Sequence, residues 1–432
     1  MDILEQLRTQ CEQVEVVNLQ SESTTVGFEA NRLKTSRVEE TKGVALRVVK
    51  NGRLGFAASS DESATEKLIA NVLESAAYGD EIPIAFPSPQ SAPEVTTFDR
   101  NITELSIPRM VEIGQEIVDL ILQVEPEAHV NVELKRGVGH LSIRNHAGTE
   151  VSSQSSPWSM FFDISRVEGD DVLLMFDVMG TTVWEDDYLA FVRRLVEKLE
   201  MAQKSATIQS GRMPVIFAPT GALVLSLPLV LGLDGKNVYT GISPMAGKIG
   251  EKLFDARITV ADDPTLDGKW GSASYDDEGV AHRRNVLVEQ GVLKGFVYDL
   301  KTAAQSGVES TGNGSRSLFS PPRPSPTNLI FQAGETPLAE IVAGIDEGLL
   351  VENALGLGQG NVISGAFSNS LSLAFKIERG EIVGRVKDVS IAGNVYDLLQ
   401  DVAAVSRETE WVYRSFSLPY ILLPDMNVVT KE

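Results

Sequence analysis

The sequence predicts an α+β protein of two domains, with mixed helices and antiparallel sheets and a strand-rich C-terminal half. Three observations lead to this class. Alternating apolar residues flank Asn51-Gly52, a pair that two-residue hairpin turns favour. Several other segments repeat apolar residues at helical spacing. The polar stretch QKSATIQSGR then separates these elements from a second set, so we assign residues 1–205 to one domain and residues 206–432 to the other.

The first elements have local start and stop signals. Residues 1–13 predict a helix, and VEVVNLQ after it predicts a strand that precedes the hairpin. Ser63 and Glu66 have the spacing of a capping box, so we expect a helix to begin there, and Gly79 supplies its end. Residues 80–101 contain four prolines and predict a connecting loop.

Helices and strands continue to alternate up to the domain boundary. Ser106 is the expected N-cap of a helix that has Pro108 in its first turn. Strands are predicted from about residue 130 to residue 183, followed by a helix over residues 184–202. In the second domain, VEQGVLKG and IERGEIVG share the pattern of VKNGRLG in the first hairpin. Either an internal duplication or separate tight hairpins would explain this pattern.

Charge and composition exclude several classes of function. The chain has 432 residues and a net charge of −22, from 38 basic and 60 acidic side chains. Such a surface repels nucleic-acid phosphates and anionic membranes, so we expect no contact with either. Cys11 is the only cysteine, which rules out a disulfide within the chain and a zinc site built from several thiolates. No secretory signal opens the sequence, so we expect a cytoplasmic protein.

The most apolar stretch, TGALVLSLPLVLGLDG, covers residues 220–235. Its unbroken apolar part is shorter than the roughly 20 residues that cross a bilayer, so we expect a buried helix. Pro228 is expected to remove one hydrogen bond and kink that helix. Ser226 lies among leucines and outside any GxSxG motif, so we expect its hydroxyl to bond back to the helix and not to act as a nucleophile.

Two acidic clusters are the other candidates for chemistry. They are Asp262 with Asp263, and Asp276 with Asp277 and Glu278. Neighbouring carboxylates can bind calcium or magnesium, but they also cap turns, and neither cluster has the spacing of a helix–loop–helix calcium site. We therefore expect a structural role for both clusters.

A long polar loop at residues 310–328 is a candidate binding edge. Loops of this size inside a compact domain are often lids or binding edges, and an exposed connector is the plain alternative. If the loop binds a substrate or partner, deletion of its tip weakens that interaction and leaves the fold intact. The candidate contacts with a substrate or partner are Asn313, Arg316, Arg323 and Asn328.

From about residue 214 onward the sequence resembles the TldD/PmbA family. The resemblance rests on segments in family order: MAGKIGEKLFDARITVADDPTLDGKWGSASYDDEGVAHRRNVLVEQGVLKGFVYDLKTAAQSG, STGNGSRS, PTNLIF, GLLV and KDVSIAGNVYDLL. The first half is similar more weakly, through NGRLGFAASS and the helix after it. The resemblance implies a role in a cytosolic zinc metalloprotease that acts on peptides and on small or unfolded proteins.

The family has two branches that are understood to pair. In the TldD branch a helix carries HExxxH, whose histidines bind zinc and whose glutamate polarises water. LDGK here is similar to the end of that helix, and counting back places the histidines at Ser226 and Leu231 and the glutamate at Leu227. That branch also draws a cysteine ligand from a region similar to GQGNVISGAFSNS, which has no cysteine here.

These differences identify the chain as a member of the PmbA/TldE branch. Membership implies a subunit with no catalytic residue and no metal of its own, paired with a TldD-like chain that holds the zinc. The alternative is a stand-alone homodimer that binds peptides without cutting them. A third hypothesis is a hydrolase that uses the two acidic clusters with a different metal.

Overall fold

The computed structural model describes residues 2–61 and 63–431 and confirms the α+β class. Two large sheets and a short ribbon account for the strands in these ranges. The first sheet has the order β3-β2-β1-β4-β6-β7, with β5 paired to β4, and all its pairs are antiparallel. Its strands are β1 (Gln13–Glu29), β2 (Arg32–Lys50), β3 (Arg53–Ser59), β4 (His129–Asn145), β5 (Glu150–Ser155), β6 (Trp158–Glu168) and β7 (Asp171–Thr181).

The second sheet has the order β11-β10-β9-β14-β20-β18-β16-β15-β8, with β17 on β16 and β19 on β20. Its path closes because β8 also pairs with β20, and β15–β8 and β14–β20 are parallel pairs. The strands of the second half, with β12 and β13 as a separate ribbon, are β8 (Gly211–Phe217), β9 (Val260–Asp262), β10 (Asn285–Glu289), β11 (Val292–Leu293), β12 (Gly314–Ser315), β13 (Arg323–Pro324), β14 (Leu329–Phe331), β15 (Glu347–Ala354), β16 (Ala366–Glu378), β17 (Glu381–Arg385), β18 (Val389–Asn394), β19 (Ala404–Val412) and β20 (Phe416–Thr430).

Short helices connect and cover these sheets. None of the helices in the described ranges is long and apolar enough to span a bilayer. The first sheet ends at residue 181 and the second begins at residue 211, and the domain boundary between residues 205 and 206 stays a prediction. The helices are α1 (Ile3–Arg8), α2 (Thr65–Tyr78), α3 (Arg100–Thr103), α4 (Ile107–Val124), α5 (Ala190–Ala202), α6 (Leu223–Leu233), α7 (Gly235–Tyr239), α8 (Leu300–Ser306), α9 (Leu338–Ala343) and α10 (Val395–Leu398).

Local signals placed most of the elements in the first half correctly. Asn51 and Gly52 have φ angles of +53° and +72°, as a type I′ hairpin turn between β2 and β3 requires. Ser106 caps α4, since its hydroxyl accepts a hydrogen bond from the Arg109 amide at 3.3 Å. The capping box at Ser63 is wrong, because that hydroxyl donates to Asp61 Oδ1 at 2.6 Å and α2 begins at Thr65 without a side-chain cap.

One face of the first sheet is covered by α4 and α5. Val26 and Phe28 of β1 are buried against the apolar stripe of α4. Gly114 permits this contact, since a Cβ there would lie 2.3 Å from the Phe28 ring. The residues of β1 between these apolar positions point to the opposite face of the sheet. The helices α4 and α5 therefore do not cover this second face of the sheet.

A buried charged cluster joins this layer to the second sheet. Lys198 of α5 lies with its Nζ 2.7 Å from Glu352 Oε2 on β15, and Asp177 of β7 is buried beside them. Burial raises the pKa of Asp177 to about 7, because the cost of removing its charge from water exceeds the attraction of Lys198. Asp177 is therefore largely protonated in the folded protein below neutral pH.

This pKa makes the free energy of unfolding depend on pH. A raised pKa means that the folded state binds the proton more tightly, so stability is present at low pH and is lost as pH rises through about 7. Asp177→Asn removes the titration. We expect the wild type to lose about 1 kcal/mol more than this variant between pH 6 and pH 8. Chemical denaturation at both pH values measures the difference, and equal losses would show that Asp177 is ionised in the fold.

Candidate functional site

The helix α6 carries Ser226, Leu227 and Leu231, the three positions that the resemblance assigns to the family's zinc motif. Ser226 is fully buried, and its hydroxyl donates to the Ala222 carbonyl oxygen at 3.1 Å, as expected for a serine bonded back to its own helix. Leu227 is half-buried, and Leu231 is 37% exposed. Two hydrocarbon side chains and an engaged hydroxyl supply none of the nitrogen, thiolate or carboxylate ligands that zinc prefers. These residues do not fit the metal.

The first and last of these positions also lie on different sides of the helix. Five residues along an α-helix correspond to a rotation of about 140° between side chains. Ser226 accordingly points into the core, whereas Leu231 points outward.

A cleft of about 510 Å³ lies beside α6. One wall is apolar and includes Leu227 and Pro228. The other wall is the glycine-rich segment before β16, where Gly356, Gly358 and Gly360 have φ angles of +74°, +78° and +74°. This segment overlaps GQGNVISGAFSNS, the region that the resemblance assigns to the cysteine ligand. The fold therefore brings the helix assigned to the zinc motif and the region assigned to the cysteine ligand to one cleft. Neither wall of this cleft carries a metal ligand.

Tyr396 holds the two walls of this cleft together. Its hydroxyl lies 3.0 Å from the Pro228 carbonyl oxygen and 3.1 Å from that of Ile363, so its one proton can be donated to either. Burial raises the pKa of Tyr396 to about 12, which keeps the hydroxyl protonated. Sequence reasoning missed this residue, although it lies in the segment KDVSIAGNVYDLL that carried the resemblance.

The acidic clusters cap turns and anchor the polar loop. Asp262 accepts from the Asn313 side-chain amide and from the Thr327 backbone amide, both at 2.6 Å. Asp276 accepts from the backbone amides of Glu278 and Gly314 at 2.9 Å. In the described ranges, no three histidine, cysteine, aspartate or glutamate side chains are placed to share a metal ion. The carboxylates of both clusters thus perform the structural role expected of them.

The loop at residues 310–328 is anchored by most of its candidate contacts. Asn313 and Asn328 are buried, and Asn328 donates to the Asp263 carbonyl oxygen at 2.9 Å. Arg316 is also buried, and Arg323 is exposed on the short ribbon of β12 and β13. The two amides are used inside the fold, so they are not free to contact a partner. A binding role for the loop stays a prediction, and Arg323 is its exposed polar candidate.

Arg316 of this loop belongs to a cluster of four buried charged side chains that connects the two halves of the chain. Arg47 of β2 donates two hydrogen bonds to Glu15 of β1, at 2.9 and 2.6 Å, and one to Glu278 at 2.5 Å. Arg316 donates to the same Glu15 at 2.7 Å. The two guanidinium groups lower the pKa of Glu15 despite its complete burial. Sequence reasoning missed Glu15 and Arg47, because neither lies in a motif.

Comparisons with known proteins agree with the resemblance seen in the sequence. Residues 210–430 match the family described as the PmbA/TldA metallopeptidase C-terminal domain, and residues 14–77 match PmbA/TldA metallopeptidase domain 1. The solved structure of TldE from Thermococcus kodakarensis is 27% identical to the chain, covers 99% of both chains and has a TM-score of 0.89.

Two sequence relatives bear metalloprotease names. A protein of Methanothermobacter thermautotrophicus named Metalloprotease is 26% identical over 87% of this chain and 85% of its own length. The TldD homologue of Haemophilus influenzae is 32% identical over 51% of this chain and 46% of its own. With a family match over half of its length and a matching fold along nearly all of it, the chain belongs to the PmbA/TldD metallopeptidase family.

Proposed function

We propose that this chain is the non-catalytic, TldE-like subunit of a cytoplasmic TldD/TldE-type zinc metalloprotease that degrades peptides and unfolded proteins. Its partner is a TldD-like chain, which holds the zinc. The observation that carries the proposal is the chemistry of α6, which offers Ser226, Leu227 and Leu231 at the positions that the resemblance assigns to the metal motif. In this role the chain contributes shape and binding surface to a shared proteolytic chamber.

Two further observations support the proposal. The match to TldE from Thermococcus kodakarensis extends over 99% of the chain, so the subunit of that name has the same overall fold. The wall of the cleft beside α6 is apolar at Leu227, where the resemblance would place a general base. A hydrocarbon at that position cannot accept the proton of an attacking water molecule.

Co-expression with a TldD-type chain from the same cell tests this function. We expect a co-purifying complex that hydrolyses unfolded polypeptides and loses that activity when a chelator removes its metal. The chain purified alone is expected to have no peptidase activity. Matched controls are the TldD-type chain alone and a complex in which the glutamate of its HExxxH motif is replaced by glutamine.

Other outcomes would decide against the proposal. Chelator-sensitive hydrolysis by this chain alone would show that it has a metal site of its own. A homodimer that binds peptides and ignores the TldD-type chain would favour the stand-alone binding protein instead.

A further inference from the structure

The first sheet has an open face on the side opposite α4. Alternate residues of β1 line this face, namely Ser21, Ser23, Thr25 and Gly27. The register places Lys135 of β4 beside Thr25 and glycines of β4 beside the two serines. Small side chains therefore occupy most of the middle of this face, and they leave space above the strands.

Three cavities follow this face from end to end, and we call them together the sheet groove. Their volumes are about 540, 870 and 570 Å³. The first two share Glu133, and the last two share Ser21, Gly139 and Trp270 among others, so neighbouring cavities adjoin one another. The sheet groove follows β1 from Glu29 to Leu19, and ten residues of strand measure about 33 Å.

Five residues that line the sheet groove have buried polar atoms without a hydrogen-bond partner. The atoms are the hydroxyls of Thr25 and Thr182, the Nε and Nη1 groups of Arg316, the Nε group of Arg414 and Nε2 of His282. Thr25 is 1% exposed, and the Arg316 side chain is 1% exposed. A buried donor without an acceptor costs about 1–3 kcal/mol. Acceptor oxygens from a ligand would satisfy the hydroxyl and guanidinium donors among these groups.

The charge of the lining limits which ligand fits. Among the described residues that line the three cavities, eight are acidic and four are lysine or arginine. Glu39 on the rim is already paired with Arg37 at 3.5 Å, and Asp277 accepts from the Arg316 backbone amide. These carboxylates would repel an acidic ligand, whereas they would not repel a neutral or basic one.

We propose that the sheet groove binds an extended, non-acidic polypeptide segment of about ten residues. Backbone carbonyl oxygens of that segment accept hydrogen bonds from Thr25 at one end and from Thr182 and Arg316 at the other. An extended chain matches the groove in length, fits over its small side chains and presents carbonyl oxygens at regular intervals. The inference rests on the proposed function in taking polypeptides as the ligand class, but it assigns their binding to this subunit.

Fluorescence anisotropy on the chain alone tests the site, with a labelled neutral peptide of about ten residues as the probe and an acidic peptide of equal length beside it. Ser23→Trp fills the middle of the sheet groove, and we expect it to weaken binding of the neutral probe at least tenfold. Ser152→Trp is the matched control, because Ser152 is exposed on β5 outside the groove and should leave binding unchanged. The acidic peptide should bind more weakly to the wild type.

Two isosteric variants test the unpartnered hydroxyls. Thr25→Val and Thr182→Val each remove a buried hydroxyl that has no partner in the fold. We expect both variants to melt at the same or a higher temperature than the wild type and to bind the neutral probe several-fold more weakly. A purely structural role for the hydroxyls would leave the affinity unchanged.

The results that would overturn this inference differ from those that would overturn the proposed function. Unchanged probe binding in Ser23→Trp and in both valine variants would overturn the groove as the binding site. Loss of pairing with the TldD-type chain in Ser23→Trp, with probe binding kept, would show that the groove is a subunit interface and would also overturn it. In both cases an active, chelator-sensitive complex of the wild-type chain with the TldD-type chain would still support the proposed function.

Discussion

Replacement of Arg47 by leucine is expected to lower the free energy of unfolding by about 3–5 kcal/mol. Arg47 and both of its acidic partners are at most 1% exposed. Leucine removes the guanidinium and leaves Glu278 without its cation, deep in the protein. Glu15 retains only Arg316. Urea denaturation followed by circular dichroism measures the loss.

An exposed ion pair provides the control for this prediction. Arg212 pairs with Asp425 at 2.7 Å, and both side chains are more than half exposed. We expect Arg212→Leu to leave the denaturation midpoint unchanged, because water screens such a pair. If Arg47→Leu unfolded at the same denaturant concentration as Arg212→Leu, the network would stabilise the fold no more than an exposed ion pair does.

Replacement of Ser226 by histidine is expected to lower the free energy of unfolding by about 3 kcal/mol. Ser226 is fully buried among the apolar residues of α6, so an imidazole overfills the core and buries ring nitrogens without partners. Leu231→His is the matched control on the same helix, because that side chain is 37% exposed and its replacement should be tolerated. Thermal melts of the two variants measure the difference.

Zinc gives this experiment a second readout. The variant with histidine at Ser226 and Leu231 and glutamate at Leu227 restores the motif in sequence. We expect no rise in its melting temperature when zinc is added, since position 226 is fully buried and the cleft beside α6 offers no cysteine as a third ligand. A zinc-dependent rise of several degrees would show that the helix can still assemble a metal site.

Features that depend on neighbouring residues could be predicted from the sequence. The turn at Asn51 and Gly52 and the cap at Ser106 follow from local backbone chemistry, and both are confirmed. The burial of α6 follows from its composition alone. The predicted helix over residues 184–202 begins at Ala190, and helix starts that lack a side-chain cap are hard to place.

Features that depend on distant residues could not be predicted. Arg316 and Glu15 are 301 residues apart in the sequence, and no local pattern marks their pairing. The polar loop shows the same difficulty, because polar residues of the type that lie on surfaces are buried there against Asp262. The sheet groove depends on the register of β1 against β4. Hydrophobic periodicity does not determine this register over residues 20–25, where the side chains on both faces of β1 are polar.

The central claim is that α6 supplies no metal ligand. Elemental analysis of the chain purified without a partner tests it most directly, together with the same measurement on the complex with a TldD-type chain. We predict negligible zinc in the chain alone and a stoichiometric amount in the complex. Stoichiometric zinc in the chain alone, lost on substitution of Ser226 or Leu231 by alanine, would contradict the account.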